Sequence, residues 1–286
     1  MPLRKPIKPP ELRQFANVWT MLGQPSSEKE WTMEQRFRQA KKEGFDAVGW
    51  GVIPEAAKLC KALDMTYVCY IDAHFKTFKD RLEMAADTEP ARINVQLADH
   101  DTLPVEAVEV WIKMVEVAET LGLTIDLEVH RDTCTETPEK TWEIAKRYKE
   151  ATGKKLRLSF DYSHFALVKH LSPPYAKRLL EHPELVRVAR QMHFRPFNGH
   201  HCQIPVTNGK GKITPEFTDY LQFVDDLFAC WFAGAKGGEI LYVCPELGPR
   251  GGYGLSTFPN VWKDACLLRG ETETLWKKHL ALWKKQ

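Results

Sequence analysis

Four short stretches of this chain carry side chains suited to proton transfer or metal ligation. They are Glu128-Val-His130, Asp161-Tyr-Ser-His164, His193-Phe-Arg195, and Glu246 at the end of Val243-Cys-Pro-Glu. Glu128 and His130 share parity, as do His193 and Arg195, so in an extended strand each pair projects to one face. Three bare carboxylates drawn to one point beside an imidazole repel one another by several kcal/mol at low effective dielectric. A divalent cation relieves that repulsion. Mixed oxygen and nitrogen ligation suits manganese, magnesium, cobalt, zinc or iron, and does not choose among them. Glu128, Asp161, His193 and Glu246 are therefore candidate ligands of a divalent ion.

Such groups meet only if the elements that carry them converge. From Phe15 onward, short β-branched or aromatic runs alternate with longer amphipathic ones. Strands are expected at 15–21, 45–51, 66–73, 93–98, 123–130, 156–162, 192–197 and 240–246. Helices are expected near 32–43, 54–63, 76–86, 104–121, 138–151, 174–190, 215–235 and 259–284. Val108, Trp111, Ile112, Val115 and Ala118 fall on one face of a 3.6-residue helix. Six of the helices begin on or beside a proline, namely Pro54, Pro104, Pro138, Pro174, Pro215 and Pro259. Proline suits the first helical turn because its missing N–H has no partner there. Thr137 and Thr214 stand directly before two of these prolines as N-caps. Glycines 44, 122, 153 and 238 stop helices just before the next strand.

Eight strand-then-helix units fit a single-domain α/β fold, the (β/α)8 TIM barrel. A doubly wound open sheet is the alternative, but no G-x-G-x-x-G follows the first strand. The barrel spans 15–286, and 1–14 read as a basic, proline-rich arm. In such a barrel the C-terminal strand ends form the active face, and the four acid and histidine stretches lie there. Seven of the ten histidines lie at or just past strand ends: His74, His100, His130, His164, His193, His200 and His201.

The chain has 286 residues, with 40 Lys+Arg against 38 Asp+Glu and a net charge of +2. That balance argues against a dedicated nucleic-acid binder. Seven cysteines without C-x-x-C spacing read as reduced, buried thiols of a cytoplasmic protein. No apolar run approaches a membrane span, and the basic N-terminus lacks the apolar region of a secretory signal.

On these residues the chain resembles the xylose-isomerase-like barrels: sugar isomerases and epimerases, inosose dehydratases and apurinic endonucleases. The resemblance runs from Phe15 to about Trp283, and its sharp motifs lie on strands 5 to 8. It implies that Glu128, Asp161, His193 and Glu246 bind one metal ion. Asp161-Tyr-Ser-His164 matches the D-x-x-H after strand 6, and Gly209-Lys-Gly-Lys-Ile213 matches a G-x-G-x-I segment before helix 7. The implied reaction is proton transfer in a ketose or related polyol through a metal-stabilised enediolate. Glu128 and Glu246 would be the acid–base pair, and His164 and Arg195 would bind or polarise substrate oxygens. His130 departs from the epimerase pattern and adds a possible further proton-transfer group.

Two other reactions stay open. A sugar dehydratase or lyase uses the same ligands and the same enediolate. A zinc-dependent phosphodiesterase of the apurinic endonuclease type would add His74 and His100 as ligands. The loop Asn198-Gly-His-His201 lacks the aspartate that such enzymes carry. Among weaker features, Trp19 and Trp50 read as packed rim aromatics, with sugar stacking as the alternative. Asp126 reads as a hydrogen-bonded core carboxylate one layer deeper than Glu128. The glycine-bearing loop 198–212 reads as a lid. Arg250 reads as exposed, with an anion contact as the alternative. Trp262, Trp276 and Trp283 would bury against the barrel or against a second copy in a homo-oligomer.

Overall fold

A computed structural model describes residues 8–285. The short apolar runs form eight strands: β1 (Glu11–Asn17), β2 (Ala47–Trp50), β3 (Thr66–Ala73), β4 (Arg92–Leu97), β5 (Ile125–Val129), β6 (Leu158–Asp161), β7 (Gln191–Phe194) and β8 (Ile240–Pro245). Each pairs in parallel with the next, and β8 returns to β1 with Ile240 opposite Glu11, so the barrel is closed. Parallel neighbours need crossovers, and helices supply them. These are α1 (Met33–Lys42), α2 (Ala56–Leu63), α3 (Phe78–Ala86), α4 (Pro104–Thr120), α5 (Pro138–Thr152), α6 (Tyr162–Lys169), α7 (Ala176–Leu179), α8 (Pro183–Val186), α9 (Pro215–Phe232) and α10 (Val261–Trp283). Thr137 and Thr214 cap α5 and α9 through Lys140 N and Phe217 N, as their position before proline predicts.

Two apolar cores follow from strand alternation. Outward residues such as Val95, Leu127, Phe160 and Met192 pack with helix residues such as Trp111, Ile144 and Trp231. Phe15, Ala47, Val68, Tyr242 and Cys244 form the second cluster, on the opposite parity, inside the barrel. Gly49 is required there: a Cβ would stand 2.7 Å from the Phe15 ring. Fully burying one such side chain stabilises by about 1.5–3 kcal/mol.

Several expected boundaries move. β1 begins at Glu11, because Leu12, Arg13 and Gln14 pair with Leu241, Tyr242 and Val243. Four residues of the expected 1–14 arm therefore belong to the barrel, and residues 1–7 lie outside the described ones. β1 also ends early. Asn17 Oδ1 accepts from Trp19 N at 2.9 Å and turns Val18–Met21 into a 3-10 turn. The strand expected at 156–162 ends at Asp161, whose Oδ1 accepts from Ser163 N at 3.0 Å and so caps α6. The helix expected at 174–190 is two single turns, α7 and α8. Pro183 cannot donate to a preceding carbonyl and breaks the run.

The tryptophans of α10 pack on their own barrel. Trp276 lies 4.6 Å from Phe232 and 5.3 Å from Trp231, Trp262 stacks on Phe45 at 5.6 Å, and Trp283 Nε1 donates to Ala235 O. All seven cysteines are free, five of them buried. Among the described residues no helix is long and apolar enough to cross a membrane.

Candidate metal centre and active site

Inward parity on neighbouring strands brings the acids together. Glu128 is the fourth residue of β5, Asp161 the last of β6, His193 the third of β7, and Glu246 follows β8. Each offers a donor atom within 4.8 Å of the other three, and all four side chains are buried. His193 Nδ1 lies 2.9 Å from Glu128 Oε1 and 3.2 Å from Glu246 Oε2. Neither contact is aligned as a hydrogen bond, so this buried nitrogen lacks a conventional partner. The Tyr70 ring stacks on the imidazole at 5.3 Å and Phe15 meets it edge-on at 6.1 Å, which fixes the ring plane.

The outer oxygens of the glutamates are tied to the barrel wall. Asn94 Nδ2 donates to Glu128 Oε2 at 2.6 Å, and Asn17 Nδ2 donates to Glu246 Oε1 at 2.7 Å. Gln191 Nε2 in turn donates to Asn94 Oδ1 at 3.1 Å. Arg195 Nε donates to Asp161 Oδ2 at 3.1 Å and its Nη2 to Glu246 Oε2 at 2.9 Å. Its Nη1 is buried and unpaired. His164, on the first turn of α6, places Nε2 3.3 Å from Asp161 Oδ2, and neither ring nitrogen makes a hydrogen bond. His130 packs its ring 4.2 Å from that of His164 and anchors Nδ1 on the Arg131 carbonyl at 2.6 Å.

Charge follows from these contacts. Burial opposes ionisation of Glu128, but the positive charge of His193 beside it outweighs that and brings the carboxyl down to about 2. Burial likewise opposes ionisation of Asp161 and Glu246. The Arg195 charge outweighs it at both, holding Asp161 well below the usual carboxylate range and Glu246 lowered. His193 is also desolvated, yet Glu246 and Glu128 raise it to about 10, so it is protonated between them. Burial takes His164 the other way, to about 4, so it is a neutral imidazole with one donor and one acceptor.

The donor set fits a divalent cation. Three ionised carboxylates exceed the charge of Arg195 and protonated His193 together. Exchanging the His193 proton for a divalent ion brings the cluster to neutrality. Among the described residues these four side chains are the group of three or more metal-binding types that converges.

Three of the seven strand-end histidines, His130, His164 and His193, reach this centre. His74 and His100 are exposed, and His100 pairs with Asp132 at 2.6 Å. His200 and His201 are exposed on the loop after β7, where their N–H groups donate to Asn198 Oδ1. That loop is tied down by Asp264 of α10, which accepts from Val206 N and Thr207 N, and by Gln203, which bonds Gly248 on both sides of its amide. Trp19 lies at the mouth, 5.0 Å from Tyr253 and 5.5 Å from the Arg195 guanidinium carbon, whereas Trp50 packs in the outer core. Asp126 takes a bidentate bond from Arg92, 2.6 Å to each oxygen, and is a core carboxylate. Arg250 is exposed and pairs with Glu30 at 2.8 Å.

Asn17, Tyr70, Asn94 and Gln191 also line the centre, and neither the acid-bearing ends of strands 5 to 8 nor the histidines point to them. Their signal is their position: each is a polar or amphipathic residue at the inward parity of its strand.

No protein-family model and no curated protein matches the sequence. Solved structures do match the fold. A D-tagatose 3-epimerase-like protein is 16% identical with a TM-score of 0.57, covering 93% of this chain and 99% of its own. The probable 3-DHS dehydratase of Bacillus anthracis is 12% identical with a TM-score of 0.57, over 90% and 98%. A xylose isomerase-like TIM barrel protein from Mycobacterium smegmatis, in complex with magnesium, is 13% identical with a TM-score of 0.54, over 94% and 98%. At such identities the likeness speaks for architecture. The chain has the fold of the xylose isomerase-like TIM barrels.

Proposed function

We propose that this protein is a divalent-metal-dependent isomerase or epimerase of a ketose or related polyol. The observation that carries this reading is the convergence of Glu128, Asp161, His193 and Glu246 within 4.8 Å, beside unpaired buried donors on Arg195 and His164. These four side chains would hold the ion, and a bound divalent cation supplies Lewis acidity that polarises adjacent substrate oxygens.

The remaining chemistry belongs to the chain. Glu128 and Glu246 approach the centre from different strands, and both are ionised at neutral pH, so either can accept a proton from a carbon beside a carbonyl. In epimerisation the partner glutamate first takes up a proton from solvent and then returns it to the opposite face, while the first glutamate releases the proton it removed to solvent. Arg195 Nη1 donates to the substrate oxygen that gains charge, and a buried cationic donor is strongest where water is excluded. His164 donates or accepts at a neighbouring hydroxyl. His130, against its ring, passes a proton outward.

Dehydration is the second reading, since it needs the same α-proton removal and a dehydratase shares the fold. A zinc phosphodiesterase has less support. Among the described residues His74 and His100 join no second group of metal-binding side chains.

The test is metal analysis of the purified protein coupled to a ketose screen in heavy water. The expected result is one equivalent of divalent metal and solvent deuterium at an α carbon without loss of water. Loss of water instead selects the dehydratase. Cleavage of an abasic-site oligonucleotide without sugar exchange selects the phosphodiesterase and overturns the proposal.

A further inference from the structure

One arginine at the mouth has no role in the chemistry above. Arg131 follows His130 on the loop after β5 and is half-buried. Its Nη1 reaches Cys202 Sγ at 3.4 Å, and its guanidinium carbon lies 4.5 Å from the centre of the Tyr253 ring. Among the described residues it pairs with no carboxylate. Arg195 covers Tyr253 at 4.3 Å, so the two guanidinium groups share one ring.

The loop that carries Arg131 is stiff. Thr135 Oγ1 donates to the Glu128 carbonyl at 2.5 Å, Thr133 Oγ1 donates to the His130 carbonyl at 2.7 Å, and Cys134 N donates to Leu97 O at 3.0 Å. Side chains on so fixed a loop lose little entropy when they bind.

A half-buried guanidinium against a soft sulfur and an aromatic face gives up much of its hydration without gaining a counter-charge. Arg195 beside it has its counter-charges in Asp161 and Glu246, and only its enclosed Nη1 is left without an acceptor. With a divalent ion present the cluster is neutral, so Arg131 is the charge left over. An anion reaching the mouth would meet Arg131, while Arg195 Nη1 serves the reacting oxygen, and guanidinium groups bind carboxylate and phosphate through paired N–H donors.

Building on the sugar reading, we propose that Arg131 is a specificity-determining residue that selects substrates bearing an anionic substituent, a carboxylate or a phosphate monoester, on the carbon chain. The anion lies at the Tyr253 edge while the reacting carbons lie over Glu128 and Glu246. A neutral sugar occupies the same centre without that contact.

The test uses the metal-loaded enzyme and calorimetric binding of three matched probes: D-fructose, D-fructuronate and D-fructose 6-phosphate. Wild type is expected to bind at least one anionic probe ten-fold or more tightly than fructose. Arg131→Gln should remove most of that preference and leave fructose affinity unchanged, while Arg131→Lys keeps part of it. Whichever anionic probe binds better identifies the charged group. Equal binding of all three by wild type overturns the proposal and leaves the sugar reading standing, as does an unchanged preference in Arg131→Gln. Failure of all three to bind overturns the sugar reading and this inference together. An unchanged metal content and melting temperature in the variants separates loss of selection from loss of structure.

Discussion

Asn17 donates to Glu246 across the β1–β8 seam at 2.7 Å, so one carboxylate oxygen is bound to the wall and the other is left facing the centre. Asn94 does the same for Glu128 across the β4–β5 seam at 2.6 Å. Each glutamate is thus aimed by an amide on the adjacent strand. Replacing Asn17 by Ala leaves a buried carboxylate oxygen unpaired, which costs about 1–3 kcal/mol. Metal affinity should fall by about 10–100-fold, the usual effect of losing a group that orients a ligand. Thermal melting and metal titration check both.

Glu246→Gln should keep the barrel and abolish turnover. Its one amide oxygen can keep only one of the bonds that Asn17 and Arg195 donate to the two carboxylate oxygens, and it can neither take a proton nor bring a negative charge to the ion. Solvent-deuterium incorporation and the melting curve are the readouts. A variant that folds and exchanges at the wild-type rate would remove Glu246 from the mechanism.

The metal-free protein should release about one proton as it takes up a divalent ion near neutral pH, because protonated His193 must become neutral to bind. His193 is raised to about 10 in the folded protein, above the ordinary histidine value of about 6.5. Its contribution to metal-free stability is full below about 6.5 and is lost as pH rises through about 10. Metal affinity should run the opposite way across that window, rising with pH. Calorimetric titration in buffers of different ionisation enthalpy counts the proton, and denaturant melts with and without metal follow the stability.

The floor of the barrel should behave independently of its mouth. Arg92 and Asp126 form a bidentate pair with Asp126 fully buried. Asp126→Asn should cost about 3–5 kcal/mol in urea unfolding, because Arg92 is left with an uncompensated charge. Metal affinity of the folded variant should stay at the wild-type value.

Gly248 is a packing constraint at the mouth. A Cβ there would stand 2.1 Å from the Trp19 ring, which touches both Tyr253 and Arg195. Gly248→Ala should cost about 1–3 kcal/mol by overpacking. It should also weaken substrate binding more than metal binding, as equilibrium titrations of each would show.

Much of this protein is local and therefore readable in one dimension. Period-two and period-3.6 patterns, threonines before prolines and glycines after helices are nearest-neighbour effects, and they mark eight units. The four acid and histidine stretches stand out because each lies at the end of a strand. The break of 174–190 into α7 and α8 was also local, signalled by Pro183, but the longer amphipathic pattern masked it.

What only the tertiary structure decided depends on contacts between distant strands. Leu12, Arg13 and Gln14 belong to β1 because β8, more than two hundred residues away, offers a partner edge. Asn17 and Asn94 are unremarkable in sequence and become the holders of Glu246 and Glu128 once closure sets the register. Residue types and spacing determined which groups could do chemistry. Barrel closure decided which of them meet, because parallel pairing joins residues that no local interaction brings together.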